Sequence, residues 1–218
     1  MQIEEYGSFV DREYISFFRK CFQMLGFNGI SGDYLEFGSH KARTFPKAFL
    51  ALAAATHCIP RHFWAYDSFC GLPESDVPED EHPMWTTGRF CTDQQEFIRK
   101  CVEQGVSRES FTIVPGFFED TIGENCAPQT TSPTDVALAF VDCDMYSSSR
   151  TVLQFLKPLL KNGMIIAFDD YYCYSDKRPS GERLALREFL SELPDIHLLE
   201  YGQFHWAGMS FIVEMSEK

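Results

Sequence analysis

The chain has no G-x-G-x-x-G stretch, no C-x-x-C pair, no internal repeat and no apolar run approaching a membrane span. Each absence removes a class of protein. Without the glycine fingerprint, a dinucleotide-dependent oxidoreductase lacks its phosphate-binding turn. The eight cysteines (Cys21, Cys58, Cys70, Cys91, Cys101, Cys126, Cys143 and Cys173) are scattered, so neither a zinc site nor a disulfide framework is indicated and reduced thiols are predicted. A membrane span needs about twenty consecutive apolar residues. The opening Met-Gln-Ile-Glu-Glu also lacks the basic-then-apolar form of a leader, so a cytoplasmic location with no membrane partner is predicted. Positive charge is scarce. With 19 Lys and Arg against 32 Asp and Glu, the formal net charge of −13 disfavours a nucleic-acid or anionic-membrane partner. Five of the acids fall between Glu74 and Glu81.

Apolar side chains are plentiful. Hydrophobic residues make up 44% of the chain and Phe alone accounts for 21 positions, enough for a real core in one domain spanning 1–218. Apolar residues at Ile15, Phe18, Phe22 and Leu25 keep helical spacing, which predicts an amphipathic helix over Asp11 to Leu25 within an N-terminal helical segment, 1–30. Strands are predicted at Gly32–Phe37, His62–Tyr66, Phe111–Val114, before Asp142, and before Asp169. Helices are predicted over Phe45–Thr56 with Thr44 as cap, from Thr92 to Gln104 with Thr92 and Gln95 as a capping box, over Ser149–Lys161, and over Glu182–Leu193. Two closing strands, His197–Tyr201 and Met209–Glu214, read as an antiparallel pair. The alternation predicts a doubly wound α/β fold with a mostly parallel seven-stranded sheet and an antiparallel C-terminal hairpin.

Two segments carry the chemistry. Asp-Val-Ala-Leu-Ala-Phe-Val-Asp142-Cys-Asp144 and Met-Ile-Ile-Ala-Phe-Asp169-Asp170 are apolar runs that end in pairs of acids. Ligands of open α/β sheets sit outside the carboxyl ends of the strands, so four carboxylates are predicted at one crevice. Carboxylates that close repel, and a divalent cation with oxygen ligands relieves the repulsion.

Four stretches, Leu35-Glu-Phe-Gly38, Tyr66-Asp-Ser-Phe-Cys-Gly-Leu-Pro-Glu74, Phe140-Val-Asp-Cys-Asp-Met-Tyr-Ser147 and Ala167-Phe-Asp-Asp-Tyr171, resemble the macrocin O-methyltransferase family of class I, Rossmann-like S-adenosylmethionine-dependent methyltransferases. The resemblance implies a methyltransferase using S-adenosylmethionine and Mg2+ on a hydroxyl-bearing small-molecule acceptor, a sugar or other natural product. It implies that Gly38 lets the cofactor approach, that Glu36 faces its ammonium group, and that Asp67, with Ser68 beside it, meets the ribose. The family's second glycine is missing from Ser39-His-Lys-Ala-Arg43, so Ser39 or a nearby amide takes the carboxylate contact. By the same resemblance Asp142, Asp169 and Asp170 ligate the metal. Asp144, two residues beyond Asp142 on an extended strand end, points the same way and is the candidate general base.

His82 and His205 are second candidates for base. The loop Ser75 to Arg89, within a lid assigned to 75–91, carries Met84 and Trp85, which either close over substrate or anchor the loop. Tyr146 and Tyr171 either pack on a sugar ring or support the acids. Competing readings are a metal-dependent phosphohydrolase, disfavoured because only Arg150 adjoins the acids, and a non-catalytic nucleotide- or cofactor-binding protein of the same fold. A homo-oligomer is compatible with the sequence.

Overall fold

The computed structural model describes residues 3–53, 55, 60–124, 126 and 131–216; Cys58 and the helix end expected at Thr56 lie outside the described residues. The elements are α1 (Ile3–Phe27), β1 (Gly32–Phe37), α2 (Phe45–Ala53), β2 (Pro60–Asp67), α3 (Gln94–Glu103), β3 (Phe111–Pro115), α4 (Phe118–Thr121), β4 (Val136–Val141), α5 (Tyr146–Leu156), β5 (Ile165–Phe168), α6 (Gly181–Ser191), β6 (Ile196–Gln203) and β7 (Met209–Met215). The strands form one sheet in the order β3-β2-β1-β4-β5-β7-β6, parallel except for β7, which runs antiparallel to both β5 and β6. The chain builds outward from β1 through β2 to β3, then returns to place β4 on the other side of β1. That reversal opens a crevice beyond the ends of β1 and β4.

Alternation along each strand divides the core between the two faces of the sheet. Tyr34, Phe63, Phe111 and Phe140 pack with Phe18, Phe22 and Phe45 in one aromatic-rich layer. Leu35, Phe37, Tyr66 and Phe168 pack with Val152, Leu156 and Phe189 of α5 and α6 in the other. β4 and β5 are buried along their whole length, which is why they read as continuous apolar runs. Among the described residues no helix is long and apolar enough to cross a membrane.

Several boundaries moved for local reasons. α3 is capped by Asp93, whose carboxylate accepts from Gln95 N at 2.9 Å and Glu96 N at 3.2 Å. The expected capping residue Thr92 instead turns its hydroxyl to Lys41 N and the His40 ring, both 3.0 Å away. The Thr44 hydroxyl, expected to cap α2, donates to Glu36 at 2.9 Å. α5 starts earlier than its apolar pattern suggested and gives way after Leu156 to a 3-10 turn over Lys157–Leu159, because Pro158 cannot supply the amide that an α-helix needs. The short α4 had too few residues to show a period.

Phe18 is fully buried, and its ring meets those of Phe17, Phe22, Tyr34 and Phe140. Phe18→Ala leaves a cavity where α1 meets the sheet and should cost about 3–5 kcal/mol, read as a lower urea midpoint with an unchanged slope.

Candidate active site

A cavity of about 520 Å3 opens at the carboxyl ends of β1, β2, β4 and β5; Gly38, Ser39, Asp67, Ser68, His82, Asp142, Asp144, Asp169 and Asp170 line it, and Glu36, His205, Tyr146 and Tyr171 do not. Gly38 sits at the reversal with φ +86°, and any side chain there would overlap the Asp142 carbonyl oxygen of the neighbouring strand end. Only glycine permits both that backbone angle and that approach. Beyond it, Asp67 accepts hydrogen bonds from Ser39 N and Phe69 N, each at 2.6 Å. The second bond closes an Asx turn, and Phe69 takes φ +56° to make it. Asp67 therefore fixes its own turn and the loop after β1 while still lining the cavity. Burial pushes its carboxyl up, and the two amides pull it partly back. The buried Ser39 hydroxyl makes no hydrogen bond of acceptable geometry among the described residues, although it lies near enough to Glu36 to ease its charge.

Glu36 lies behind this wall. It shares a sheet face with Tyr34, so strand alternation turns it under α1 and α2, where the hydroxyls of Tyr34 and Thr44 donate to its carboxylate. Burial drives its carboxyl up to about 8 against the pull of those two bonds.

On the opposite side of the cavity, carboxylate oxygens of Asp142, Asp144 and Asp170 all lie within 4.8 Å of one another. Burial pushes all three carboxyls up, and neighbouring acids add to it. Asp144 reaches the group differently from the expectation. β4 ends at Val141, and Asp144 adopts φ +60°, so a left-handed turn rather than an extended strand aims it inward. The Trp85 side chain is close enough to Asp144 to ease its charge.

Asp169 is held apart from that trio. Its oxygens accept from the Tyr14 hydroxyl at 2.9 and 3.0 Å, and Oδ1 lies 2.9 Å from His205 Nε2. His205 Nδ1 accepts from Ala207 N at 3.1 Å, so the neutral ring carries its proton on Nε2 and donates it to Asp169. Both ring nitrogens of His205 are thus engaged, and the residue is not part of the cavity lining. Burial, then the Asp169 charge, raise the Tyr14 hydroxyl far above the ordinary tyrosine range, which keeps it a donor. Asp169 is still the largest charge acting on Asp142, which places it close by.

His82 lines the cavity stacked on Trp85, with ring centroids 4.3 Å apart. Its Nδ1 accepts from Met84 N at 3.1 Å, and burial lowers its pKa, so the ring offers the cavity an Nε2 donor. The segment expected as a lid is tied down at several points. Asp80 accepts from Ser75 Oγ, Ser147 N and Ser147 Oγ, capping α5 from outside the helix. Leu72 exchanges backbone bonds with Gly88 and Arg89. Trp85 is the loop's buried anchor, packed over Gly181, while Met84 stays exposed at the cavity.

Sequence reasoning missed several residues. Glu182, fully buried, accepts from Cys143 N at 3.1 Å and Asp170 N at 2.9 Å, clamping the two acid-bearing strand ends together. An acid in the first turn of a helix looks ordinary in sequence, and nothing there signalled it. Tyr146 and Tyr171 do not line the cavity; Tyr146 donates to Glu188 at 2.6 Å. Exposed aromatic residues of the wall are instead Tyr172, Tyr174 and Trp206, the last 65% exposed.

The sequence profile of the macrocin O-methyltransferase (TylF) family matches residues 6–190. The chain belongs to that family. It is 29% identical over 161 residues to an 8-demethyl-8-(2,3-dimethoxy-alpha-L-rhamnosyl)-tetracenomycin-C 4'-O-methyltransferase of Streptomyces olivaceus, and 27% identical over 161 residues to a demethyldecarbamoylnovobiocin O-methyltransferase of Streptomyces niveus. These matches take in 69% and 70% of this chain but only 57% and 58% of those relatives. The fold is similar to the solved structure of the O-methyltransferase NovP, with a TM-score of 0.70 and 21% identity over 94% of this chain and 80% of that one.

The Glu36 carboxyl gives a test of the buried wall. Its folded pKa of about 8 lies above the unfolded value near 4.5, so between those values the native state binds the extra proton. The buried carboxyl therefore adds no ionisation cost below pH 4.5 and a progressively larger one as pH rises to 8. Glu36→Gln should remove this slope. Urea titrations should show wild type losing ground to the variant by on the order of 1 kcal/mol per pH unit across that window, then no further.

Proposed function

We propose that the chain is an S-adenosylmethionine- and divalent-metal-dependent O-methyltransferase acting on a hydroxyl of a sugar or other small natural-product acceptor. The observation that carries this reading is the convergence of Asp142, Asp144 and Asp170 in the same cavity as the Gly38–Asp67 turn. Family membership supports the methyl-transfer chemistry, and the names of the curated relatives support a natural-product hydroxyl.

The residues present fit both absent groups. On one side, Gly38 leaves room for close approach, Ser39 offers a buried hydroxyl without a well-formed hydrogen bond, and Asp67 and Ser68 supply polar groups where a ribose would lie. On the other, partly buried carboxylates raise one another's proton affinity, the condition a hard cation with oxygen ligands relieves. When bound, the metal makes a coordinated hydroxyl more acidic, and S-adenosylmethionine presents the methyl group as an electrophile.

The chain's own groups do the rest. Asp142, Asp169 and Asp170 hold the metal, Tyr14 and His205 fix the carboxylate of Asp169, and Glu182 locks the strand ends. Asp144, within 4.8 Å of Asp142 and Asp170, would accept the proton that the acceptor hydroxyl gives up on methylation. Burial and neighbouring acids raise its proton affinity, as suits a base. His82, presenting a donor, orients an acceptor oxygen, and segment 75–91 forms the wall that keeps water from it. The phosphohydrolase reading is not favoured: Arg150 lies over the Tyr146 ring and does not line the cavity, and the arginine that does, Arg43, pairs with Asp11.

Two measurements test the assignments. Asp170→Asn should raise the Mg2+ concentration needed for turnover, whereas Asp144→Asn should keep metal binding and lower the rate by roughly 10²–10⁴. Loss of Mn2+ binding in Asp144→Asn would exchange ligand and base along that turn, and activity that survives EDTA would remove the metal altogether. Separately, Asp67→Ala should weaken S-adenosylmethionine binding by about 1–3 kcal/mol in calorimetry; unchanged affinity would take Asp67 out of the site.

A further inference from the structure

A second groove, of about 700 Å3, lies between the β5–α6 connection and the solvent face of α6, and it shares Tyr174 with the acid-lined cavity. Its charge is opposite to that of the chain. Lys177, Arg178, Arg183 and Arg187 line it against a single acid, Asp176, in a protein of net charge −13. Lys177 pairs with Glu81 across its edge. Arg187 has no ion pair among the described residues, and Arg178 makes none within 4 Å although its charge is felt by Glu81. Arg183 and Arg187 stand one turn apart on the exposed face of α6, so their guanidinium groups can act on one ligand. Arg183 is also positioned by two rings, with its guanidinium carbon 5.7 Å from the Tyr171 centroid and 5.8 Å from that of Tyr174.

We infer that this groove binds the diphosphate of the acceptor, which makes the acceptor a nucleoside diphosphate-linked sugar. Unpaired, planar guanidinium groups match phosphate oxygens two at a time, and the volume far exceeds what a lone carboxylate needs. A nucleic acid would require an extended basic surface, and this patch is local within an acidic molecule. The shared Tyr174 joins the anion groove to the cavity whose carboxylates would receive the sugar hydroxyls. The link to the acceptor rests on the methyltransferase reading; the anion site itself does not.

Calorimetric titration of the intact protein with uridine diphosphate, uridine and, separately, S-adenosylmethionine tests it. Uridine diphosphate should bind saturably and weaken as salt rises, and uridine should not bind measurably. Arg183→Gln/Arg187→Gln should lower uridine diphosphate affinity by about tenfold or more while leaving S-adenosylmethionine binding unchanged. Arg187→Glu, at an exposed position, should reproduce the loss if the double variant is unstable. Absence of saturable uridine diphosphate binding, or equal affinity in both variants, would overturn the anion site. Binding of uridine diphosphate without any binding of S-adenosylmethionine would count instead against the methyltransferase reading.

Discussion

Six carboxylates gather behind and around one crevice, and the rest of the structure is arranged to tolerate them. At an effective dielectric near 20, two unit charges 4 Å apart repel by about 4 kcal/mol. Oxygens of Asp142, Asp144 and Asp170 lie within 4.8 Å of one another, with Asp169, Glu182 and Glu36 close enough for their charges to be felt. The fold answers with donors. Tyr14 and His205 serve Asp169, two backbone amides serve Glu182, and two hydroxyls serve Glu36. Asp142, Asp144 and Asp170 have less support from such donors than Asp169, Glu182 and Glu36.

Those donors come from distant parts of the chain, so the acids also organise the domain. Tyr14 is on the first helix and Asp169 at the end of the fifth strand, 155 residues apart. Docking of α1 is thereby tied to the geometry of the site. Glu182 similarly joins the start of α6 to two strand ends, and Asp80 joins the loop after β2 to the start of α5. Close packing at the reversal depends on backbone angles few residues accept: Gly38 under the Asp142 carbonyl, Gly181 under Trp85, and Asp144 itself in the left-handed region.

The cavity divides its work by wall. The β1–β2 side offers turns, amides and a buried hydroxyl, the β4–β5 side offers carboxylates, and the outer rim offers Met84, Tyr172, Tyr174 and Trp206, all exposed. A polar head bearing hydroxyls and a broader apolar or planar body would suit this distribution.

Pattern alone determined the order of strands and helices, because continuous apolar runs and helical spacing are local properties. β4 and β5 with their terminal acids, Gly38 and Asp67 were all legible for this reason, and chain reversal at a parallel sheet put them in one crevice. Contacts between distant segments were not legible. Nothing near Tyr14, Glu182 or Asp80 in sequence announces partners 155, 39 or 67 residues away. Capping by Asp93 instead of Thr92 was settled by a competing bond from the loop after β1. Asp144 was placed by a left-handed turn, not by the strand period that had seemed to aim it. Residue type set which chemistry was available; packing across the sheet decided which carboxylates face the cavity and which are bound by the protein itself.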